Sequence, residues 1–107
     1  MNNYQVDRQK WQSLTIFEQM GNIYSEIGRT FNAKKMNNSP GAKDAAMRAF
    51  DLFDATTEDL VRKKSPKLSE VLRVREIFAE EYQNSDKTTL DNYFMQFAIA
   101  ARLNDEN

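Results

Sequence analysis

The sequence predicts an all-α protein, an antiparallel up-down bundle of four helices. Through most of the chain, apolar residues recur at steps of three and four, the spacing that places them on one helix face. Two serine–proline pairs divide the chain where helices are expected to begin. No segment of useful length alternates strictly between apolar and polar residues, as a half-buried strand would. The 107 residues are interpreted as a single domain, 1–107, near the most common domain size.

The first predicted helix covers residues 15–35 and follows an N-terminal extension, residues 1–12. Thr15 and Glu18 have the spacing of a capping box, in which each side chain accepts a backbone N–H of the other residue. Trp11 is expected to extend this helix upstream or to pack at its entry. The predicted core face of the helix consists of Ile16, Phe17, Met20, Ile23, Tyr24, Ile27 and Phe31.

The second and third predicted helices cover residues 40–63 and 66–83. Ser39 and Ser65 each precede a proline, and each is interpreted as an N-cap followed by proline at the first helical position. The predicted inner face of the second helix is Ala42, Ala45, Ala46, Ala49, Phe50, Phe53 and Leu60. The predicted inner face of the third helix is Leu68, Val71, Leu72, Phe78, Ala79 and Tyr82.

The fourth predicted helix covers residues 89–103 and precedes a polar tail, residues 104–107. Thr88 is its predicted N-cap, with Asp91 three residues later as a weaker form of the capping box.

Composition excludes several classes of function. The chain has no cysteine and no histidine, which removes disulfides, thiolate metal sites, cysteine nucleophiles and the most common general base. Fifteen basic residues face sixteen acidic ones, so the overall basic excess that is typical of nucleic-acid-binding proteins is missing. We therefore expect no enzymatic activity, no cofactor and no bound metal. No signal peptide or membrane-spanning run is visible, and a cytoplasmic location is the expectation.

The fourth helix is apolar on two sides, which predicts a homo-oligomer, with a dimer as the expected state. Met95, Ile99 and Leu103 lie opposite its core face, and a helix that is apolar on both sides is usually buried on both sides. Asn92 and Gln96 are expected at the rim of the subunit contact. The alternative is that the N-terminal extension folds back over this patch within one chain.

Arg75 is the candidate residue for an ion pair or an anion site. On a helical wheel it falls inside the predicted apolar face of the third helix, beside Leu72 and Ala79. An unpaired arginine there would be costly to desolvate. A structural ion pair is expected, with Glu26 as one candidate partner, and an anion-binding cleft is the alternative.

Arg62, Lys63, Lys64 and Lys67 form a candidate basic patch at the turn between the second and third helices. Cations at the end of a helix complement its dipole, which is the simpler interpretation. The alternative is contact with the phosphates of a nucleic acid.

Gly21 and Gly28 lie seven residues apart on one side of the first helix. Glycine inside a helix costs up to about 1 kcal/mol relative to alanine. The pair predicts close packing against the alanine-rich second helix, and a groove for a ligand or partner is the alternative.

Acidic residues form the outer face of the second helix, with Asp51, Asp54 and Glu58 spaced so that their carboxylates lie close together. A solvated surface is the simpler interpretation. Docking of a basic partner is the main alternative, and a weak divalent-cation site is a minor one.

Several short segments carry a resemblance to one protein family: Trp11, residues 17–23, residues 25–27, Arg29, and residues 49–52, 72–76, 93–98 and 100–102. On these segments the chain resembles a family of small bacterial helical-bundle proteins. The resemblance implies a bacterial or phage origin and implies no activity.

These observations together predict a non-enzymatic protein–protein interaction module that self-associates, with a protein partner as a further candidate. The alternative is a nucleic-acid-associated accessory protein that uses the basic turn. An enzyme ranks third, because no constellation of residues supports one.

Overall fold

The structure of the protein, a computed structural model, describes the backbone of residues 5–105 and the side chains of residues 5–97 and of Ile99. This part of the chain is all-α, as predicted, and it contains no strand. Its helices are α1 (Arg8–Gln12), α2 (Ile16–Lys35), α3 (Ser39–Arg62), α4 (Leu68–Asn84) and α5 (Thr88–Asp105). None of these five helices combines the length and the apolar character needed to cross a membrane.

The N-terminal extension contains the helix α1, which the sequence analysis did not predict. The Asp7 side chain accepts the backbone N–H groups of Gln9 and Lys10 at 3.0 and 3.3 Å. Trp11 is buried, and its indole N–H donates to the hydroxyl of Thr56 on α3 at 2.9 Å. Because a five-residue helix is unstable alone, this cap and this contact with α3 hold it in place.

The start of α2 confirms the predicted capping box. The Thr15 hydroxyl accepts the N–H of Glu18, and the Glu18 carboxylate accepts the N–H of Thr15. The start of α3 differs by one residue from the prediction. Asn38 is the N-cap and accepts the N–H of Gly41 at 3.0 Å, so Ser39 is already helical.

The start of α4 is a correction. The prediction placed Ser65 as N-cap and began the helix at Pro66, whereas α4 begins at Leu68 after a turn. The Ser65 hydroxyl accepts the N–H of Lys67 at 3.2 Å. Serine side chains can stabilise such local turns in competition with a helix, which explains the later start.

The first turn of α5 is capped from another helix. The Glu81 carboxylate on α4 accepts the N–H groups of Leu90 and Thr89 at 2.9 and 3.3 Å. Asp86 accepts the N–H of Thr88 at 3.0 Å. The predicted Thr88–Asp91 capping box is therefore wrong: Thr88 is already helical and donates its N–H to Asp86, and the N–H of Asp91 donates to the Lys87 carbonyl at 2.9 Å.

The far end of α5 reaches Asp105, so the predicted polar tail, residues 104–107, begins within the helix. Differences of one or two residues at helix ends are usual.

The helix contacts form a closed ring: α2 packs against α3 and α5, and α4 packs against α3 and α5. The short helix α1 packs on the outside of this ring, against α3. Phe78 of α4 is fully buried near the rings of Phe31, Phe50 and Phe53, whose centroids lie 6.3, 5.0 and 6.1 Å from its own. This aromatic cluster joins α2, α3 and α4 in one core.

The buried face of α4 is rotated from the predicted one. Val71, Val74 and Phe78 are fully buried, while Leu72 and Ala79, both predicted to be in the core, are exposed. Residues spaced three and four apart meet on one helix face, and Val74 fits that spacing with Val71 and Phe78.

The acidic outer face of α3 is partly covered by the chain's own N-terminal segment. The Asp51 carboxylate accepts the backbone N–H of Val6 at 2.7 Å and pairs with Arg8 at 2.9 Å. Arg8 also lies 3.2 Å from Glu58. The predicted alternative was a basic partner protein at this face, but the cation beside Asp51 and Glu58 is Arg8 of the same chain.

Candidate interaction surface

Among the side chains of α5 that the structure describes, one apolar face is buried and the other is exposed. Leu90, Phe94 and Phe97 lie in the core. On the opposite side, Met95 and Ile99 are 62% and 54% exposed. We call this exposed pair the α5 patch.

Polar residues border the α5 patch. Asn92 and Gln96 are exposed beside it. Their place at the rim of a subunit contact stays a prediction. The side chain of Leu103, predicted to extend the patch, lies outside the described residues.

A groove between α2 and α5 adjoins the α5 patch, and we call it the α2–α5 groove. Its volume is about 440 Å³, and it is lined by Phe17, Gly21, Tyr24, Asp91, Phe94, Met95 and Phe97. Met95 belongs to both surfaces, so patch and groove are continuous. Their combined lining is mainly aromatic and aliphatic, with the Tyr24 hydroxyl and the Asp91 carboxylate as its polar groups.

The glycines of α2 border grooves instead of packing against α3. A Cβ atom added at Gly21 or Gly28 would meet no atom within 4 Å outside the local helix. Gly21 lines the α2–α5 groove, and Gly28 lines a second cavity farther along α2. The prediction of close packing is therefore wrong, and the groove alternative agrees with the structure.

Tyr24 and Asp91 fix the wall of the α2–α5 groove. The Tyr24 hydroxyl donates to the Asp91 carboxylate at 2.6 Å, and its ring stacks on Phe94 with centroids 4.7 Å apart. The hydrogen bond to Asp91, together with burial, raises the pKa of Tyr24 to about 12. Tyr24 therefore stays protonated at neutral pH and acts as a hydrogen-bond donor between α2 and α5. Sequence analysis missed this pair, because its members are far apart in the chain.

Arg75 pairs with Asp54, not with Glu26. Its Nε lies 3.2 Å from the Asp54 carboxylate, and its guanidinium lies 5.0 Å from the centre of the Phe50 ring. The Arg75 and Asp54 side chains are 38% and 50% exposed. An ion pair this exposed typically contributes about 0.2–1 kcal/mol. Because the buried face of α4 is rotated toward Val74, Arg75 lies at its edge and reaches solvent.

Glu26 is buried and forms ion pairs with two other arginines. It pairs with Arg48 of α3 at 2.7 Å and with Arg29 of its own helix. This cluster holds α2 against α3.

The predicted basic patch is partly neutralised. Arg62 and Lys63 pair with Asp59 at 2.7 and 2.8 Å, while Lys64 and Lys67 are exposed. Two of the four cations therefore share one carboxylate of α3, which cancels one of the four positive charges.

Asp59 is the centre of a buried polar network. It is 1% exposed and accepts a hydrogen bond from the Gln19 amide at 3.2 Å, in addition to its two cations. Burial by itself raises the pKa of Asp59, but the hydrogen bonds from Lys63, Arg62 and Gln19 outweigh it and lower that pKa. The Gln19 amide also donates to the carbonyl of Trp11 at 2.9 Å, which joins α1, α2 and α3.

The described residues contain no group of three or more carboxylates placed to hold a metal ion.

Comparison with known proteins gives no match: no protein-family model, curated protein or solved structure is significantly similar to this chain. The resemblance to small bacterial helical-bundle proteins stays a prediction from the sequence.

Proposed function

We propose that this chain is a non-enzymatic protein–protein interaction module that self-associates through α5, with a dimer as the assembled state. The observation that carries the proposal is the exposure of Met95 and Ile99 on a helix whose other side is already in the core. A two-fold partner would cover the patch by presenting the same patch in return.

The exposed area predicts a weak dimer. Full burial of an aliphatic side chain stabilises an assembly by roughly 1.5–3 kcal/mol. In the single chain, somewhat over half of the surface of Met95 and of Ile99 is still exposed and available for burial in a dimer. Four such side chains in a two-fold contact would contribute about 4–7 kcal/mol by that scale. Association itself costs at least about 4 kcal/mol, so the predicted dimer forms at high protein concentration.

The competing explanation, an N-terminal cover over the α5 patch, has less support. Val6 donates its backbone N–H to Asp51, and Trp11 donates its indole N–H to Thr56. Both acceptors belong to α3. These contacts direct residues 5–12 toward α3, while residues 1–4 lie outside the part of the chain that the structure describes.

A nucleic-acid-associated function also has less support, because part of the basic turn is already paired with a carboxylate of the same chain. Two of the four cations in the basic turn, Arg62 and Lys63, are paired with Asp59. Nucleic-acid affinity depends strongly on the number of phosphates that cations neutralise.

The antiparallel up-down order of the four long helices is part of the proposal. Support comes from contacts that join early positions of one helix to late positions of its neighbour. Gln19 near the start of α2 contacts Asp59 near the end of α3, and Glu81 near the end of α4 contacts Leu90 near the start of α5. A cytoplasmic location and a bacterial or phage origin stay predictions from the sequence.

The test is sedimentation equilibrium over a concentration series that extends to the millimolar range. We expect the average mass of the wild-type protein to rise from one chain toward two. Met95→Asp should stay at one chain throughout, because a dimer would bury its charge without a partner. Met47→Asp is the matched control: Met47 is also an exposed methionine, but it lies on α3, whose neighbours are α1, α2 and α4.

Circular dichroism must show that each variant keeps its helical content. The proposal is wrong if the wild-type protein remains a monomer at every concentration, or if Met95→Asp associates as strongly as Met47→Asp.

A further inference from the structure

A second cavity, separate from the α5 patch, lies between the C-terminal part of α2 and the loop that joins α4 to α5. We call it the lysine cavity. Its volume is about 660 Å³, and it is lined by Gly28, Phe31, Asn32, Lys34, Lys35, Ser85 and Lys87. This volume falls in the range of about 300–1,000 Å³ that is typical of small-molecule sites.

The charge of this lining is positive. Lys34, Lys35 and Lys87 contribute three ammonium groups, and the lining includes no carboxylate from the described part of the chain.

The nearest carboxylates along the α4–α5 connection are already engaged elsewhere. Glu81 accepts two backbone N–H groups of α5, and Asp86 accepts the N–H and the hydroxyl of Thr88. Asp91 accepts the Tyr24 hydroxyl, lines the α2–α5 groove and also lies 3.5 Å from the ammonium of Lys87, so one of the three cavity lysines has a carboxylate partner.

Lys34 and Lys87 have partners within the chain, and Lys35 is exposed. Lys34 donates to the Tyr82 carbonyl, and its ammonium lies 4.3 Å from the centre of the Tyr82 ring. Lys87 lies 3.5 Å from the Asp91 carboxylate and is partly exposed, and Lys35 is exposed at the last turn of α2.

Lys87 is placed by an ion pair and not by the helix dipole. Lys34 and Lys35 are at the C-terminus of α2, where the helix dipole favours cations. Lys87 directly precedes the first residue of α5, where the dipole favours anions. The Asp91 carboxylate, four residues along the chain, lies 3.5 Å from the Lys87 ammonium and accounts for a cation at that place. An ammonium group has three N–H donors, so donors remain for a ligand in the cavity.

The neutral walls suit an anionic organic molecule. Ser85 has a φ of 57°, a left-handed conformation in which glycine is the usual residue, so a serine here carries a conformational cost and places a hydroxyl at the cavity. Asn32 supplies a side-chain amide, Phe31 supplies an aromatic edge, and Gly28 leaves the α2 backbone accessible.

We propose that the lysine cavity binds a phosphate-bearing small molecule, with Lys34, Lys35 and Lys87 contacting its phosphate oxygens. Charge-assisted hydrogen bonds from lysine to phosphate are among the strong polar contacts in proteins. Because none of these residues belongs to the α5 patch, binding here does not depend on self-association.

Titration calorimetry with inorganic pyrophosphate as the probe tests this proposal. We expect wild-type protein to bind the probe with a millimolar or lower dissociation constant that rises with salt concentration. The double variant Lys35→Gln/Lys87→Gln should bind at least about tenfold more weakly, since two ammonium contacts are lost. The matched control Lys10→Gln/Lys64→Gln removes two exposed lysines from α1 and from the turn after α3, and it should bind as the wild type does.

Amide chemical shifts locate the bound probe. Shifts concentrated at Gly28, Ser85 and Lys87 would support the proposal. Absence of binding at millimolar pyrophosphate, or equal losses of affinity in the double variant and the control, would overturn it, because the phosphate would then be bound elsewhere or not at all.

Discussion

Replacement of Asp59 by asparagine tests the buried network that joins the first three helices. Asparagine has nearly the same shape as aspartate but presents one acceptor oxygen and one amide group where Asp59 has two acceptors. The two oxygens of Asp59 bind different partners: one accepts from Arg62, and the other accepts from Gln19 and Lys63. In either orientation, the NH2 group of the new asparagine therefore faces another hydrogen-bond donor, either Arg62 or the pair Gln19 and Lys63.

The expected loss is about 2 kcal/mol of unfolding free energy. Arg62 and Lys63 are about half exposed, so each ion pair contributes roughly 0.2–1 kcal/mol. The misplaced amide adds about 1 kcal/mol or more, because Gln19 and residue 59 are fully buried and one donor is left without a partner. Asp44→Asn on the same helix is the control. Asp44 is exposed, and its replacement should change stability by less than about 0.5 kcal/mol.

The loss should depend on pH with a defined sign. The pKa of Asp59 is lower in the folded state than the ordinary value of 3.8. Its ionised form therefore stabilises the fold fully above that value, and this contribution disappears as the pH falls through the folded pKa. The stability difference between the wild type and Asp59→Asn should be constant near neutral pH and should shrink in acid.

Urea unfolding followed by circular dichroism at several pH values measures both effects. Urea is preferable to guanidinium, because a salt would screen the ion pairs. An Asp59→Asn protein as stable as Asp44→Asn at neutral pH would refute the argument, as would a difference that does not shrink in acid.

Two further predictions concern α2. Gly21→Ala should stabilise the protein by about 0.5–1 kcal/mol in urea unfolding, because alanine favours the helix and the added methyl group meets no atom within 4 Å outside the local helix; a lower midpoint would show that the groove is closed at this point. An alkaline absorbance titration should detect one tyrosine that ionises at about pH 12, and Tyr24→Phe should lack it. Since the unfolded state ionises first, near 10, the Tyr24 contribution to stability should fall between pH 10 and pH 12, and identical titrations of the two proteins would contradict the assignment.

Local patterns were sufficient to predict much of the fold. The Thr15–Glu18 capping box and the periodic apolar residues of α2 follow from spacing along one helix, and the structure agrees with both. The rotation of α4 was not predictable in this way. Residues 71–79 carry apolar side chains on several sides of the helix, so the pattern leaves its buried face undetermined, and packing against α3 and α5 decides it.

The ion pairs and cavities depend on contacts between distant segments. Arg75 pairs with Asp54 because α4 lies against α3 with its Val74 side buried, a relation that no sequence spacing records. Lys34 and Lys87 are 53 positions apart (87 minus 34) and meet at one cavity only through packing of α2 beside the α4–α5 loop. Gly21 and Gly28 were visible as unusual residues, but the pattern did not reveal which surface they face.

The single tryptophan of the chain gives this protein an internal optical reporter. Trp11 belongs to α1 and is buried. Its indole N–H donates to Thr56 of α3, and its backbone carbonyl accepts the side-chain amide of Gln19. Its emission therefore follows the docking of the smallest helix, whereas far-ultraviolet dichroism is dominated by the four long ones. If α1 detaches before the bundle melts, the two signals change at different denaturant concentrations, and a fluorescence midpoint alone would understate the stability of the core.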